Sequence, residues 1–167
     1  MVHHTAQMLL VLHFLLASAT GAHETTAGKT GTPATMNAGA IGGIVALMRS
    51  GRKEAQEEAA FMLRDLAVSN TDNIVKIVQA GAIKPLVALV RVGSEVAQEH
   101  AAGALAALAS SNNNLVTIVQ AGAIEPLVAL VRSSSSMGAR AAAAGLLASL
   151  AMNHDNQVII ARAGAIE

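Results

Sequence analysis

The hydrophobic and polar positions of this chain follow a pattern that recurs along most of the sequence. Consecutive copies of the tetrapeptide Ala-Gly-Ala-Ile are 42, 41 and 42 residues apart and begin at residues 38, 80, 121 and 163. Around the second and third copies the similarity is closer, since the segments 74–91 and 115–132 are identical at 15 of 18 positions. Periods of this length are typical of proteins built from stacked units, in which each unit buries its apolar side against its neighbours.

Within each unit the pattern predicts three helices, and it lacks the alternating polarity that the four strands of a propeller blade would need. The first helix is short and is predicted at residues 72–80, 113–121 and 155–163. We expect Asp72, Asn113 and Asp155 to cap its start. The glycine that follows the last residue of each first helix suits the left-handed conformation that often ends a helix. The second helix is apolar nearly all round and has a proline in its first turn, where no backbone N–H is needed. The third and longest helix is predicted at about residues 53–68, 95–109 and 137–152.

The third helix has two different faces. At 100° per residue, one side of each copy collects alanine, methionine and leucine, which is the pattern of a buried face. These expected core positions are Ala59, Met62, Leu63, Leu66, Ala101, Ala104, Leu105, Leu108, Ala143, Leu146, Leu147 and Leu150. Stacking of the units would align the opposite side into one continuous surface. The residues predicted to form a partner-binding groove there are Glu54, Glu57, Phe61, Asp65, Glu99, Gly103, Ala107, Gly145 and Ser149.

The three-helix unit, the period near 42 residues and the joint Ala-Gly-Ala-Ile-x-Pro-Leu-Val-x-Leu-Val resemble armadillo repeats over residues 37–167. The resemblance implies an all-α fold, a right-handed α-solenoid with three helices in each repeat, whose third helices line a concave groove. Residues 38–167 would then hold two full repeats, with a partial repeat before them and another after them. Within the family, the pattern is most similar to vacuolar-membrane scaffolds and to plant U-box ubiquitin ligases.

The resemblance also identifies groove positions that can be compared with known binders. In the nuclear-import receptors of the family, each third helix carries a Trp and, four residues later, an Asn. The matching pairs of positions here hold Phe61 and Asp65, Gly103 and Ala107, and Gly145 and Ser149. Because the Trp faces and the Asn amides are both missing, the resemblance does not extend to the binding of import signals.

The remaining groove surface is smooth and begins with four acidic residues, Glu54, Glu57, Asp65 and Glu99. One interpretation is a shallow surface for a partner segment that has basic residues at that end. The other is that these charges are solvated helix positions and that the small residues beside them carry no function. Gly103 and Gly145 each cost a helix roughly 1 kcal/mol relative to alanine. This cost indicates close packing or the approach of a partner, although sequence drift would also explain it.

Residues 1–22 resemble a secretory signal peptide, because the apolar run Met8–Ala19 is followed by small residues that fit a cleavage site. The run is too short to span a bilayer, and it lacks the basic residues that normally precede it. Residues 23–37 are predicted to be a flexible linker rich in Thr, Gly and Ala. Two locations stay open: the secretory pathway if the leader is cleaved, and the cytoplasm if it is not.

Charge and composition argue against several functional classes. The 167 residues carry 11 Lys and Arg against 11 Asp and Glu, and this zero net charge argues against nucleic-acid binding. The absence of cysteine removes disulfides, thiolate metal sites and a cysteine nucleophile. The sequence shows neither histidines at metal-binding spacing nor an activated nucleophile or acid–base pair. We therefore expect no catalysis, no cofactor, no metal, no small-molecule substrate and no stable membrane span.

Together these features predict a non-enzymatic scaffold or adaptor whose groove binds a protein or peptide. Two alternatives stay open: the substrate-recognition fragment of an armadillo ubiquitin ligase, and a secreted armadillo-type binding protein. The partial repeats at both ends leave apolar faces without a polar cap. This indicates either a fragment of a longer array or self-association through the uncapped ends.

Overall fold

The computed structural model describes residues 36–164, and this part of the chain folds into α-helices joined by short connections. The predicted leader, all but the end of the predicted linker and the last three residues lie outside the described range. The nine helices within it are α1 Ala38–Arg49, α2 Lys53–Ser69, α3 Thr71–Gln79, α4 Ile83–Val92, α5 Glu95–Leu108, α6 Asn112–Gln120, α7 Ile124–Ser133, α8 Met137–Leu150 and α9 His154–Arg162. No strand occurs among these residues, and the prediction of an all-α fold is confirmed.

The helices group into repeats of three. Helices α3–α5 and α6–α8 form two complete repeats, each with a short first helix, an apolar second helix and a longer third helix. Helices α1 and α2 correspond to the second and third helices of a preceding repeat, and α9 corresponds to the first helix of a following one. Consecutive repeats stack because α2 packs along α5 and α5 packs along α8. The three third helices therefore lie side by side.

A glycine in the left-handed conformation ends the first helix of each repeat. Gly81, Gly122 and Gly164 have φ angles of 73°, 74° and 81°, a region that costs other residues about 1 kcal/mol or more. At the first two of these glycines the chain turns sharply, by 85° between α3 and α4 and by 83° between α6 and α7. No single helix of the described range is long and apolar enough to cross a membrane. Within that range, this length and composition are reached only when the two helices of either bent pair are counted together.

The core runs through the stack between the second and third helices. Leu86 of α4, Leu105 of α5 and Leu146 of α8 are at most 1% exposed, and burial of each such side chain contributes about 1.5–3 kcal/mol. The third-helix positions predicted to be core are all buried except Met62, which is half-buried and packs against the core. The periodicity of the apolar residues thus identifies the inward face of all three third helices.

The first helices begin one residue earlier than the sequence predicts. Their N-caps are Asn70, Ser111 and Asn153. A side-chain oxygen of each cap accepts a hydrogen bond from a backbone N–H in the first turn. The prediction that Asp72, Asn113 and Asp155 are the caps is wrong, because the polar residue just before each helix is extended and already satisfies a free N–H group.

Candidate functional site

The predicted groove residues lie on the accessible side of α2, α5 and α8. Each is exposed or half-buried, whereas the core positions on the same helices are buried, Met62 excepted. Because the three helices pack side by side, these residues form one surface. We call it the third-helix groove, and it consists of Glu54, Glu57, Phe61 and Asp65 from α2, Glu99, Gly103 and Ala107 from α5, and Gly145 and Ser149 from α8.

Two of the acidic groove residues make contacts between repeats. A carboxylate oxygen of Glu57 accepts a hydrogen bond from the Ser94 hydroxyl, and a carboxylate oxygen of Glu99 accepts one from the Ser136 hydroxyl. Ser94 and Ser136 are the N-caps of α5 and α8, so each carboxylate also lies near the positive end of the next third helix. Glu57 and Glu99 therefore stabilise the stacking of the repeats, whatever they do toward a partner.

Glu54 and Asp65 are the more accessible acidic residues of the groove, and both are exposed. Asp65 forms an ion pair with its neighbour Arg64, with 3.4 Å between Nη2 and Oδ1. The two side chains are 53% and 30% exposed, so solvent screens the pair and it adds little to the stability of the fold. These two carboxylates are consequently the groove charges that are most available to a partner.

Arg64 joins α2 to α5 through a cluster of ring and charge contacts. Its Nη1 atom lies 3.1 Å from Nδ1 of His100, and its guanidinium carbon lies 5.3 Å from the centre of the Phe61 ring. The rings of Phe61 and His100 meet edge to face, with centroids 5.2 Å apart and an angle of 67° between the planes. Because arginine can only donate, Nδ1 of His100 accepts this hydrogen bond and carries no proton.

The pKa of His100 is lower than its ordinary value of 6.5. The largest cause is burial, which disfavours the charged imidazolium, and the next is the positive charge of Arg64. Three carboxylates oppose this change in pKa, and they belong to Glu99, Asp65 and Glu57. His100 is therefore mainly neutral at pH 7, in agreement with its role as an acceptor for Arg64.

Gly103 and Gly145 occupy equivalent positions but have different surroundings. A Cβ atom at Gly103 would lie 2.8 Å from Cδ of Arg64, so the missing side chain allows Arg64 to cross α5. A Cβ atom at Gly145 would have no such neighbour within 4 Å. Close packing, one of the explanations that the sequence leaves open, therefore applies to Gly103 and not to Gly145.

A cleft of about 420 Å³ adjoins the groove at its α8 end. Ser149 of α8 and Met152, which follows that helix, line one side of it, and Leu115 and Val116 of α6 line the other. Met152 is 88% exposed and Val116 is 53% exposed, so the cleft presents apolar surface to the solvent. An apolar side chain of a partner would gain free energy by covering this surface.

Several residues that the sequence analysis does not select hold the elements of the stack together. One asparagine in each first helix donates from its amide to a carbonyl oxygen near the end of the preceding third helix. The pairs are Asn73 with Leu66 at 3.1 Å, Asn114 with Leu108 at 2.7 Å and Asn156 with Leu150 at 3.0 Å. Two arginines at the ends of second helices donate to a carbonyl oxygen of the next repeat, Arg49 to Gly81 and Arg132 to Gly164, each at 3.2 Å. The repeat period could have revealed the asparagines, because they recur at intervals of 41 and 42 residues.

The histidines of the described range make contacts within the chain. His100 belongs to the Arg64 cluster, and Nδ1 of His154 lies 3.2 Å from the side-chain oxygen of Gln157. Within residues 36–164 no group of three or more histidine and acidic side chains is placed to hold a metal ion. The described part of the site thus offers contact surface, charged groups and the paired rings of Phe61 and His100.

Comparisons with known proteins agree with this architecture. The family model described as Armadillo/beta-catenin-like repeat matches residues 70–110 and 111–152. A designed armadillo repeat protein in complex with the peptide (KR)4 is 32% identical, with a TM-score of 0.67, and the match covers 76% of this chain and 54% of that one. A computationally designed armadillo repeat protein for modular peptide recognition is 30% identical, with a TM-score of 0.69 and coverages of 76% and 54%. An engineered protein is 31% identical, with a TM-score of 0.67 and coverages of 75% and 52%.

The chain spans about half the length of these solved structures. No curated protein matches the chain. The two segments that the family model matches contain α3–α5 and α6–α8, which are the two complete repeats of the structure. The order of the helices, the length of the repeat and these matches together show that the chain belongs to the armadillo-repeat family.

Proposed function

We propose that the protein is a scaffold or adaptor that binds an extended segment of a partner polypeptide in the third-helix groove. The observation that supports this proposal is that three consecutive third helices pack side by side and that each carries accessible side chains beside its buried face. A preformed helical surface loses little conformational freedom on binding, which favours affinity for an extended chain. The similar designed armadillo protein that holds the peptide (KR)4 supports this use of the fold.

The groove changes in character from α2 to α8. At the α2 end it carries the accessible carboxylates of Glu54 and Asp65. At the α8 end it has the bare backbone of Gly145 and the apolar cleft beside Val116 and Met152. The first end attracts positive charge and the second favours apolar contact. We therefore infer a partner segment that carries basic residues toward the α2 end and apolar residues toward the α8 end.

The proposal can be tested with peptides selected from a random library for binding to the full chain. The double variant Glu54→Lys, Asp65→Lys reverses the accessible charges and leaves Glu57 and Glu99 in their contacts with the capping serines. We expect this variant to bind the selected peptides more weakly, and we expect the salt dependence of its affinity to be flatter. Circular dichroism would show that the variant keeps its helical content.

Glu125→Lys is the matched control, because Glu125 is exposed in the first turn of α7 and lies outside the groove. This control should bind the selected peptides as the natural chain does. If the double variant bound the selected peptides with the same affinity as the natural chain, both at low salt and at high salt, this result would contradict the role of the acidic end. A selection that yields only peptides bound elsewhere on the protein would contradict the proposed function itself.

Two finer assignments are alternatives within this function, a secreted binding protein and the substrate-recognition part of a ubiquitin ligase. N-terminal sequencing of the protein from its own host separates the locations. A start at Thr20 or His23 supports secretion, and a start at Met1 or Val2 supports a cytoplasmic adaptor. A U-box encoded upstream of these repeats in the natural protein would support the ligase.

A further inference from the structure

A run of four serines connects α7 to α8 and also joins α8 to the third helix before it. The four residues are Ser133, Ser134, Ser135 and Ser136. The hydroxyl of Ser135 donates a hydrogen bond to a carboxylate oxygen of Glu95, and the next serine donates one to Glu99. Both carboxylates belong to α5. Two consecutive serine–glutamate contacts therefore hold the start of α8 against α5.

The contact of Ser135 with Glu95 has no counterpart one repeat earlier. The positions that precede these two residues by 42 are Gly93 and Lys53, which offer neither a hydroxyl nor a carboxylate. The junction of α2 with α5 thus has the contact between its capping serine and a glutamate and lacks the second one. A chemical change at Ser135 would act on one junction of the described stack and leave the other intact.

Ser135 is also the accessible hydroxyl of this connection. Ser133 belongs to the last turn of α7, and Ser134 and Ser136 are half-buried, whereas Ser135 is exposed. The residues on either side of it have extended backbones, with ψ angles of 137° and 120°. Met137, the first residue of α8, is 82% exposed. An exposed serine in an extended segment is what the cleft of a protein kinase requires of its substrate.

The charge pattern before Ser135 suits one class of kinase. Arg132 stands three residues before it and is exposed at the end of α7. Many kinases recognise a serine through an arginine at this distance, because their acidic side chains pair with the guanidinium. Arg132 donates to the carbonyl oxygen of Gly164 at 3.2 Å, at an exposed place where solvent competes with the bond. A kinase can therefore replace this contact with its own carboxylates.

We propose that Ser135 is a phosphorylation site whose modification loosens α8 from α5. A protein kinase transfers the γ-phosphoryl group of ATP to Oγ of Ser135. The bond from the γ-phosphorus to the bridging oxygen breaks, a bond from phosphorus to Oγ forms, ADP leaves, and the hydroxyl proton is released. The modified side chain no longer donates to Glu95. This inference does not depend on what the third-helix groove binds.

The charges around Ser135 decide the direction of the effect. The phosphate group carries about −1.5 to −2 charges at pH 7, and it would stand beside the carboxylate of Glu95, with that of Glu99 one turn further along α5. The start of α8 attracts anions, but it is equivalent to only about half a positive charge. Arg140 of α8 is exposed, so solvent weakens its attraction. Repulsion by two full negative charges therefore dominates.

The first part of the test locates the phosphate. The full chain is incubated with ATP and calmodulin-dependent protein kinase II, which selects an arginine three residues before its target, and the modified residue is identified by mass spectrometry. We expect phosphate on Ser135, none in Ser135→Ala, and unchanged modification in the matched control Ser133→Ala. Arg132→Ala should slow the reaction by roughly tenfold or more, because it removes one partner of a charged contact.

The second part measures the consequence for the stack. Amide hydrogen exchange and urea unfolding are compared between the phosphorylated and the unmodified chain. We expect exchange in α8 to be faster by roughly tenfold, the effect of losing a hydrogen bond to a charged group, exchange in α2 to be unchanged, and the urea midpoint to be lower. Glu95→Gln keeps the shape of the side chain without its charge, so phosphorylation should accelerate exchange less in this variant.

Several outcomes would overturn the inference. They are an absence of phosphate on Ser135, unchanged or slower exchange in α8 of the modified chain, and an equal acceleration in Glu95→Gln. Circular dichroism of each unmodified variant shows whether it keeps its helical content. Because exchange is measured without any partner, these outcomes are independent of whether a peptide binds the third-helix groove.

Discussion

The carboxylate of Glu57 accepts a hydrogen bond from the hydroxyl of Ser94, the residue that caps the next third helix. Glu99 and Ser136 repeat this relationship one unit further along. In both pairs the serine oxygen also accepts a hydrogen bond from a backbone N–H, that of Ala97 in the first pair and that of Ala139 in the second. One hydroxyl therefore caps the start of a third helix and also joins it to the preceding third helix.

Ser94→Ala is expected to lower the free energy of unfolding by about 0.5–2 kcal/mol, because it removes an N-cap. A double-mutant cycle with Glu57→Ala should show coupling, since a hydrogen bond to a charged group is worth roughly 1.5–3 kcal/mol. Urea melts provide the measurement, and Ser110→Ala, an exposed residue after α5, is the control. Strictly additive effects of the two substitutions would show that the contact does not contribute.

Asn73 is fully buried, and its side chain bridges two backbone groups. It donates to the carbonyl oxygen of Leu66 at 3.1 Å and accepts from the backbone N–H of Met36 at 3.2 Å. Asn73→Ala leaves both groups without this partner in a buried place, so we expect a loss of about 1–3 kcal/mol in urea melts. Asn113→Ala, at an exposed position of α6, should change stability by less than roughly 0.5 kcal/mol. Similar losses in the two variants would contradict the bridging role of Asn73.

Glycine substitutions at two sites should change stability in opposite directions. Gly122 has a φ of 74°, and Gly122→Ala should destabilise the protein by about 1–2 kcal/mol because alanine is strained in this region. Gly145 lies in the interior of α8 with open space at its Cβ position, and Gly145→Ala should stabilise the protein by about 0.5–1 kcal/mol. Thermal melts of both variants beside the natural chain would check this. A loss of stability in Gly145→Ala would mean that its surroundings are more crowded than described.

The stability of the protein should depend on pH through His100. Its pKa is lowered in the folded state by burial and by Arg64, so below about 6.5 the unfolded chain binds a proton more readily than the folded one. The contribution is therefore complete above pH 6.5 and is lost as the pH falls toward the lower pKa of the folded state. Protonation of His100 would also remove the hydrogen-bond acceptor of Arg64 and place a second positive charge beside it.

His100→Asn provides the comparison, because asparagine does not titrate. The carboxylates of Asp65, Glu57 and Glu99 face the ring and are present in both proteins, so the difference between the two proteins isolates His100. We expect the natural chain to lose more stability than His100→Asn between pH 7 and the start of carboxylate titration. Parallel curves of urea midpoint against pH would contradict the assignment.

The sequence predicts most of the fold because the repeat and the helical period agree with each other. Burial depends on which side of a helix a residue occupies, and the spacing of residues such as Leu105 and Leu146 determines that side. Caps are harder to assign, because Asn70 and Asp72 are equally polar and only the extended backbone of Asn70 makes it the cap. The apolar pattern begins inside the helix and does not specify where the extended residue lies.

The periodicity marks recurring positions such as those of the first-helix asparagines, but it does not say which residue of the neighbouring repeat each one contacts, and these contacts decide the character of the groove. Glu57 meets Ser94 and Arg49 meets Gly81 only because neighbouring repeats are stacked at a particular offset. The same limit applies to the two groove glycines, which have the same place in the pattern. Arg64 of the preceding helix covers Gly103, whereas the equivalent position one repeat later is Ala106, and within the described residues no further third helix packs beside α8.

The contacts of Arg49 with Gly81 and of Arg132 with Gly164 lie at the glycines that end first helices, away from the serine–glutamate contacts of the third helices. The repeat α3–α5 is thus attached to the helices before it at two separated points, by Arg49 to Gly81 and by Glu57 to Ser94, which restricts rocking of one unit against the other. The distance between equivalent groove residues on successive third helices is then fixed by the stacking of the repeats. If the third-helix groove binds a peptide as proposed, the peptide has to match this spacing with its own residues, so insertion of one residue into it should be tolerated less well than a change of side chain.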